Sequence, residues 1–150
     1  MRLSVLILAV AVVVVAACGG DAPTSPSTTS TTPTVVTERF DAIIDVKGSS
    51  YFTFSVNRSG GTASINLASL SPLNRPGLLA VAMQIGYGTT VLGDDGGVVG
   101  CDARKTTEAT PALSAQMSDQ VTPATNYCAT IADIGNLREP ANFTIRITHP

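Results

Sequence analysis

Apolar and polar residues alternate with a period of two over several stretches of the chain, the spacing that turns one face of a β-strand to a core and the other to solvent. Phe40, Ala42, Ile44 and Val46 alternate with Asp41, Ile43, Asp45 and Lys47, and Phe52, Phe54 and Val56 alternate with Tyr51, Thr53, Ser55 and Asn57. Gly48 to Ser50 lies between these two strands and reads as a tight hairpin connection. The segment NRSGGT, Asn57 to Thr62, closes a second hairpin into Ala63, Ile65 and Leu67.

Beyond a Pro/Asn loop from Ser71 to Gly77, Leu79, Val81, Met83, Ile85 and Tyr87 face one side, and Ala80, Ala82, Gln84 and Gly86 the other. Both sides are apolar or small, which suits a central strand. A Gly/Asp turn at Gly93 to Gly97 leads into Val98, Val99 and Cys101. A fainter strand signal covers Ala112 to Met117, and the turn TPATN precedes Tyr127, Ala129 and Ile131. Phe143, Ile145 and Ile147 alternate with Asn142, Thr144, Arg146 and Thr148 in the last strand. Seven or eight short strands and no convincing helix predict an all-β fold, an antiparallel two-sheet β-sandwich over residues 36–150.

The first 17 residues break this pattern. Arg2 precedes a run of apolar residues from Leu3 to Val15, and the small residues Ala16 and Ala17 end it, the layout of an export signal. Spanning a bilayer takes about 20 apolar residues, and Gly19, Gly20 and Asp21 stop this run too early. Val15-Ala16-Ala17-Cys18 resembles a bacterial lipobox, an aliphatic residue and two small ones before a cysteine. The resemblance implies that the Cys18 thiol takes a diacylglyceryl group and that cleavage leaves Cys18 as an acylated N-terminus. Several acyl chains hold firmly, since each buried CH₂ contributes ~0.8 kcal/mol and one chain alone is marginal. The alternative is an ordinary secretory signal with Cys18 trimmed or idle.

Cys18 is followed by Gly19 and Gly20, with no aspartate directly after the cysteine. By analogy with lipoproteins this favours an outer-membrane or cell-surface destination over inner-membrane retention. Residues 18–35 then form a Ser/Thr/Pro-rich linker with no large apolar side chain before Val35, expected to stay disordered and act as a spacer.

Charge narrows the partners. The chain holds nine Lys and Arg against eleven Asp and Glu, and the leader removes one basic residue, Arg2. An acidic balance disfavours nucleic acid, which needs clustered Lys and Arg to displace counterions. The partners expected are membrane lipid through Cys18 and a surface protein or glycan.

The strands SSYFTFSV and GGTASINL, with ATNYCATIAD and NFTIRITHP as a closing pair, resemble the pre-peptidase C-terminal (PPC) family, a β-sandwich found at the end of many secreted bacterial peptidases. The similarity covers most of Val36 to Pro150. One departure is the uncharged LLAVAMQIG where that family often carries an Asp-rich stretch. The resemblance implies a non-catalytic accessory or adhesive module and brings no active-site residue.

With Cys18 committed to lipid, Cys101 and Cys128 remain as an even pair for an oxidising compartment, and a disulfide is expected. Two separate thiols, or a metal or redox pair, are the alternatives. Asp94, Asp95 and Asp102 lie in the glycine-rich LGDDGGVVGCD and could offer carboxylates to Ca²⁺, but Asp and Gly are also what a tight turn needs. His149, the only histidine, reads as a solvent-exposed strand end, and without a GxSxG elbow no Ser/His/Asp catalyst is expected. No cofactor is expected. There is no Trp, so Tyr51 and Tyr87 are the aromatic side chains that could offer a stacking platform to a glycan. The expected function is a lipid-anchored envelope protein with a non-catalytic binding or adhesion module. A hydrolase accessory domain or a passive structural lipoprotein are the alternatives.

Overall fold

The computed structural model describes residues 34–57, 59–123 and 125–150. The export signal, Cys18 and the linker up to residue 33 lie outside the described residues. Eight strands form in chain order: β1 Val36–Ile44, β2 Ser49–Ser55, β3 Gly61–Pro72, β4 Met83–Leu92, β5 Val98–Ala109, β6 Met117–Val121, β7 Asn126–Ala132 and β8 Ala141–His149. They build two antiparallel four-stranded sheets, the first ordered β1-β8-β3-β6 and the second β2-β7-β4-β5. Pairs β1 with β8, β2 with β7, β3 with β6 and β4 with β5 nest inside one another around the β4–β5 turn. The chain is thus one long double strand rolled into two facing sheets, the jelly-roll form of a β-sandwich.

The alternation read from the sequence sets the faces. Ile44, Phe54, Ile85, Tyr87, Phe143, Ile145 and Ile147 are all buried in one core between the sheets. Phe40 stacks on Phe52 across them, with ring centroids 4.8 Å apart, at the side where β1 and β2 are the sheet edges. Pairing differs from the sequence reading at two connections. Gly48 to Ser50 and Asn57 to Thr62 are not hairpin turns, because β1 and β3 lie in the first sheet and β2 in the second. Both carry the chain from one sheet to the other. Glycine, asparagine and aspartate suit any tight reversal, so their presence marks a turn without naming the partner strand.

β4 starts at Met83 rather than at Leu79. Leu79 and Val81 still pack against the core, while the Leu79 N–H donates to the Leu70 carbonyl. β6 likewise begins where its predicted strand was to end, at Met117. Ahead of it, side chains supplement two backbone bonds, Ala112 N to Leu67 O and Gln116 N to Ile65 O: Asn66 Nδ2 donates to the Ala112 and Ser114 carbonyls, and Gln116 Oε1 accepts from Leu67 N at 2.7 Å. These contacts sit beside the register shift between Leu67 and Ser69 in β3.

One carboxylate ties the two sheet crossings nearest β7. Asp133, 8% exposed, accepts backbone N–H groups from Lys47 (2.7 Å), Gly135 (3.0 Å), Asn136 (2.8 Å) and Leu137 (3.1 Å). Burial opposes its charge, but the four donors outweigh that and hold its pKa below the ordinary aspartate value. Lys47 reaches it from a left-handed conformation, φ 59°, and Asp133 N–H donates in return to the Gly48 carbonyl. Asp133→Ala is expected to cost about 2–4 kcal/mol, from several charge-assisted bonds lost together. Because the folded pKa is depressed, the stabilisation is present above pH ~4 and is lost as pH falls below it. Urea melts between pH 6 and pH 3 should therefore show a smaller acid destabilisation in Asp133→Ala than in the wild type.

Candidate functional site

The second sheet is folded sharply on itself, and its glycines allow this. On β4, Gly86 and Gly88 face outward, opposite Thr130 and Cys128 of β7. A Cβ built on Gly86 would overlap the Thr130 hydroxyl and lie 3.2 Å from the Thr106 methyl. One built on Gly88 would overlap the Asp102 carbonyl oxygen and lie 2.8 Å from Ala103 Cα. β5 thus lies over the bare backbone of β4.

That crease brings Cys101 and Cys128 together. They sit on β5 and β7, which flank β4 on opposite sides. Strands so placed in a flat sheet lie about 9.6 Å apart, yet the two Cα atoms are 5.8 Å apart and joined by a disulfide. Cys128 pairs with Thr53 between the inward-facing Phe52 and Phe54, so it lies on the outer face of the sheet. It is nonetheless fully buried.

Asp94 and Asp95 occupy the β4–β5 turn, where Asp95 Oδ1 accepts from Gly97 N at 3.0 Å and Gly96 has φ 78°. Asp102 lies on β5 opposite Thr89. Among the described residues no three His, Cys, Asp or Glu side chains are grouped as a metal site. Tyr51 is 40% exposed, whereas Tyr87 is 7% exposed and offers no platform.

His149 is also not exposed as expected, but 4% accessible. Its ring lies 5.0 Å from Phe54, its Nε2 is 2.9 Å from Glu38 Oε1, and its Nδ1 is 3.2 Å from the Pro150 carbonyl oxygen. The reason is register: His149 pairs with Val36 and stands in the same alternating row as Phe143, Ile145 and Ile147. That row carries it into the core, where Glu38, in line with Phe40 on β1, meets it.

Phe54, Tyr87, Tyr127 and His149 form one aromatic cluster, with Tyr87 and Tyr127 stacked at 5.3 Å and Phe54 and Tyr127 at 5.8 Å. The two tyrosines lead from this cluster to a groove of about 440 Å³. It lies where β5 and β6, edge strands of the two sheets, come side by side. Gly88, Thr89, Arg104, Lys105, Asp119, Gln120 and Thr122 complete its lining. Tyr127 Oη accepts from Thr122 N at 2.9 Å and lies 2.9 Å from Thr122 Oγ1. Lys105 Nζ spans the gap, donating to the Ser118 carbonyl at 3.0 Å and pairing with Asp119 at 3.4 Å. The Gln120 N–H first, and Lys105 next, hold Asp119 below the ordinary aspartate pKa.

A second, more open depression of about 480 Å³ lies on the outer face of the first sheet, lined by Asp41, Ser69, Ser71, Asn142 and Thr144. Its one carboxylate is already engaged. Arg39 donates to both Asp41 oxygens (2.7 and 2.9 Å) and Thr144 Oγ1 donates to one of them, which lowers the Asp41 pKa. The β5–β6 groove was not legible in the sequence, since its residues come from β4, β5, β6 and β7 and carry no motif.

No protein-family model matches the chain, and no match was found among curated proteins.

Proposed function

We propose that this is a lipid-anchored protein of the cell envelope whose β-sandwich is a non-catalytic binding or adhesion module held off the membrane by the residue 18–35 linker. The observation that carries the reading is Val15-Ala16-Ala17-Cys18, correctly placed after a positive residue and an apolar run. The glycines after Cys18 favour the outer membrane or cell surface as its destination. The resemblance to the PPC family supports a role in attachment rather than turnover. So does the setting of His149, packed on Phe54 and engaged by Glu38, where a base for catalysis would need access to substrate.

The anchoring is tested by Cys18→Ala in the full chain. The wild type should partition with membranes and enter the detergent phase, while the variant should lose its label from radioactive palmitate and be recovered away from the membrane. Unchanged labelling and partition in Cys18→Ala would refute the anchor. Turnover of a peptide, ester or glycoside by the wild type, abolished by His149→Ala without loss of folding, would refute the non-catalytic reading.

A further inference from the structure

We propose that the groove between β5 and β6 binds a saccharide bearing a carboxylate, a uronic acid unit; this rests on the reading of the domain as a binding module. The first observation is a break in alternation. Successive residues of a regular strand point to opposite faces, yet Arg104 and Lys105 both line the groove. They can do so because the register shifts between Tyr87, which pairs with Lys105, and Gly88, which pairs with Ala103, leaving Arg104 as the extra residue of a bulge. Bulges re-aim side chains in this way, often beside binding sites.

The two cations have different tasks. Lys105 is spent on Ser118 and Asp119, holding the two sheet edges together. Arg104 is exposed and has no hydrogen-bond partner among the described residues. Its planar fork can take both oxygens of a carboxylate, which a lysine cannot do. With Lys105 balanced by Asp119, the groove carries one net positive charge. One negative charge matches that, as a carboxylate supplies, whereas a phosphate monoester brings about −1.5 to −2.

Hydroxyl groups supply the sugar-binding character. Thr89, Thr122 and Tyr87 all line the groove. Burial first, then the adjacent Tyr127 hydroxyl, raises the Tyr87 pKa above the ordinary tyrosine value. The Tyr87 hydroxyl stands at the groove lining, where a sugar oxygen can compete with Tyr127 for its proton. The volume, about 440 Å³, falls within the range of small-ligand sites. No exposed aromatic ring lines the groove, so binding leans on charge and weakens with salt.

The test is calorimetric titration of the full-length protein in detergent with methyl galacturonide, which carries a single carboxylate, its neutral counterpart methyl galactoside, and galactose 6-phosphate. Methyl galacturonide should bind at least about tenfold more tightly than either of the others. Arg104→Gln should lose about tenfold for methyl galacturonide and leave the unfolding midpoint in place, since the side chain is exposed. Tyr87→Phe should lose about threefold, one neutral hydrogen bond, and Asn142→Ala, in the other depression, should bind as the wild type does. Equal binding of the acidic and neutral sugars, tighter binding of the sugar phosphate, no binding of methyl galacturonide, or an Arg104→Gln variant that binds normally would each overturn the assignment. None of these outcomes touches the anchor, which is read from palmitate on Cys18.

Discussion

Gly88→Ala is expected to destabilise the sandwich by about 3 kcal/mol or more, and to make the Cys101–Cys128 disulfide open at a lower concentration of an added dithiol reductant than in the wild type. The added methyl would overlap the Asp102 carbonyl oxygen and crowd its carbon at 2.6 Å. Those are backbone atoms, so no rotamer change relieves the clash and β5 must lift. Lifting β5 opens the crease that holds the two cysteines 5.8 Å apart. Gly86→Ala should cost less, because the group it meets first is the Thr130 side chain, which can turn away. Gly100→Ala is the control: its nearest atom would be Val91 Cβ at 3.9 Å, an ordinary contact. The order Gly88, Gly86, Gly100 in chemical denaturation checks this, together with iodoacetamide uptake after limited dithiothreitol treatment, which should be greatest in Gly88→Ala. Equal costs at positions 88 and 100 would refute it.

Removing the disulfide should be of similar size. Cys101 and Cys128 are 27 residues apart, and closing a loop of that length restricts the unfolded chain by about 3.5 kcal/mol. For a domain of this size the loss lowers the melting temperature by roughly 15 °C. The double variant Cys101→Ala/Cys128→Ala, or the wild type under strong reductant, should show that drop by calorimetry. A fall of under about 3 °C in both would contradict it. Because Gly88 and the disulfide act on the same crease, their effects should not add: Gly88→Ala placed in the cysteine-free background should cost less than in the wild type.

The faces of the strands were legible in the sequence, and their partners were not. Phe40, Ala42 and Ile44 turn inward as alternation requires, and Phe143, Ile145 and Ile147 do the same. Alternation reports burial, which each strand obeys by itself. Pairing depends on the path between strands, and GSS and NRSGGT serve a sheet crossing as readily as a hairpin. The one hairpin among the described residues, at Gly93 to Gly97, was legible because β4 and β5 are the innermost pair of the rolled double strand. Val46 shows the reverse error: it continues the alternation but lies 41% exposed in the turn after β1.

The Cys101–Cys128 bond was legible from parity once Cys18 was read as a lipidation site. The crease beneath it was visible only as two small residues, Gly86 and Gly88, on one face of a strand. Asp133 and the β5–β6 groove left no sequence trace. Asp133 looks like any turn aspartate until four amide groups converge on it, and Arg104 joins Lys105 only through a bulge that no residue type announces.

The most direct test of the proposed function is the intact mass of the mature protein extracted from its own membranes. That mass should belong to a chain beginning at Cys18, heavier than its peptide mass by a diacylglyceryl group and a further acyl chain, with Cys101 and Cys128 oxidised. A mature chain beginning at another residue, or beginning at Cys18 with an unmodified thiol, would contradict it.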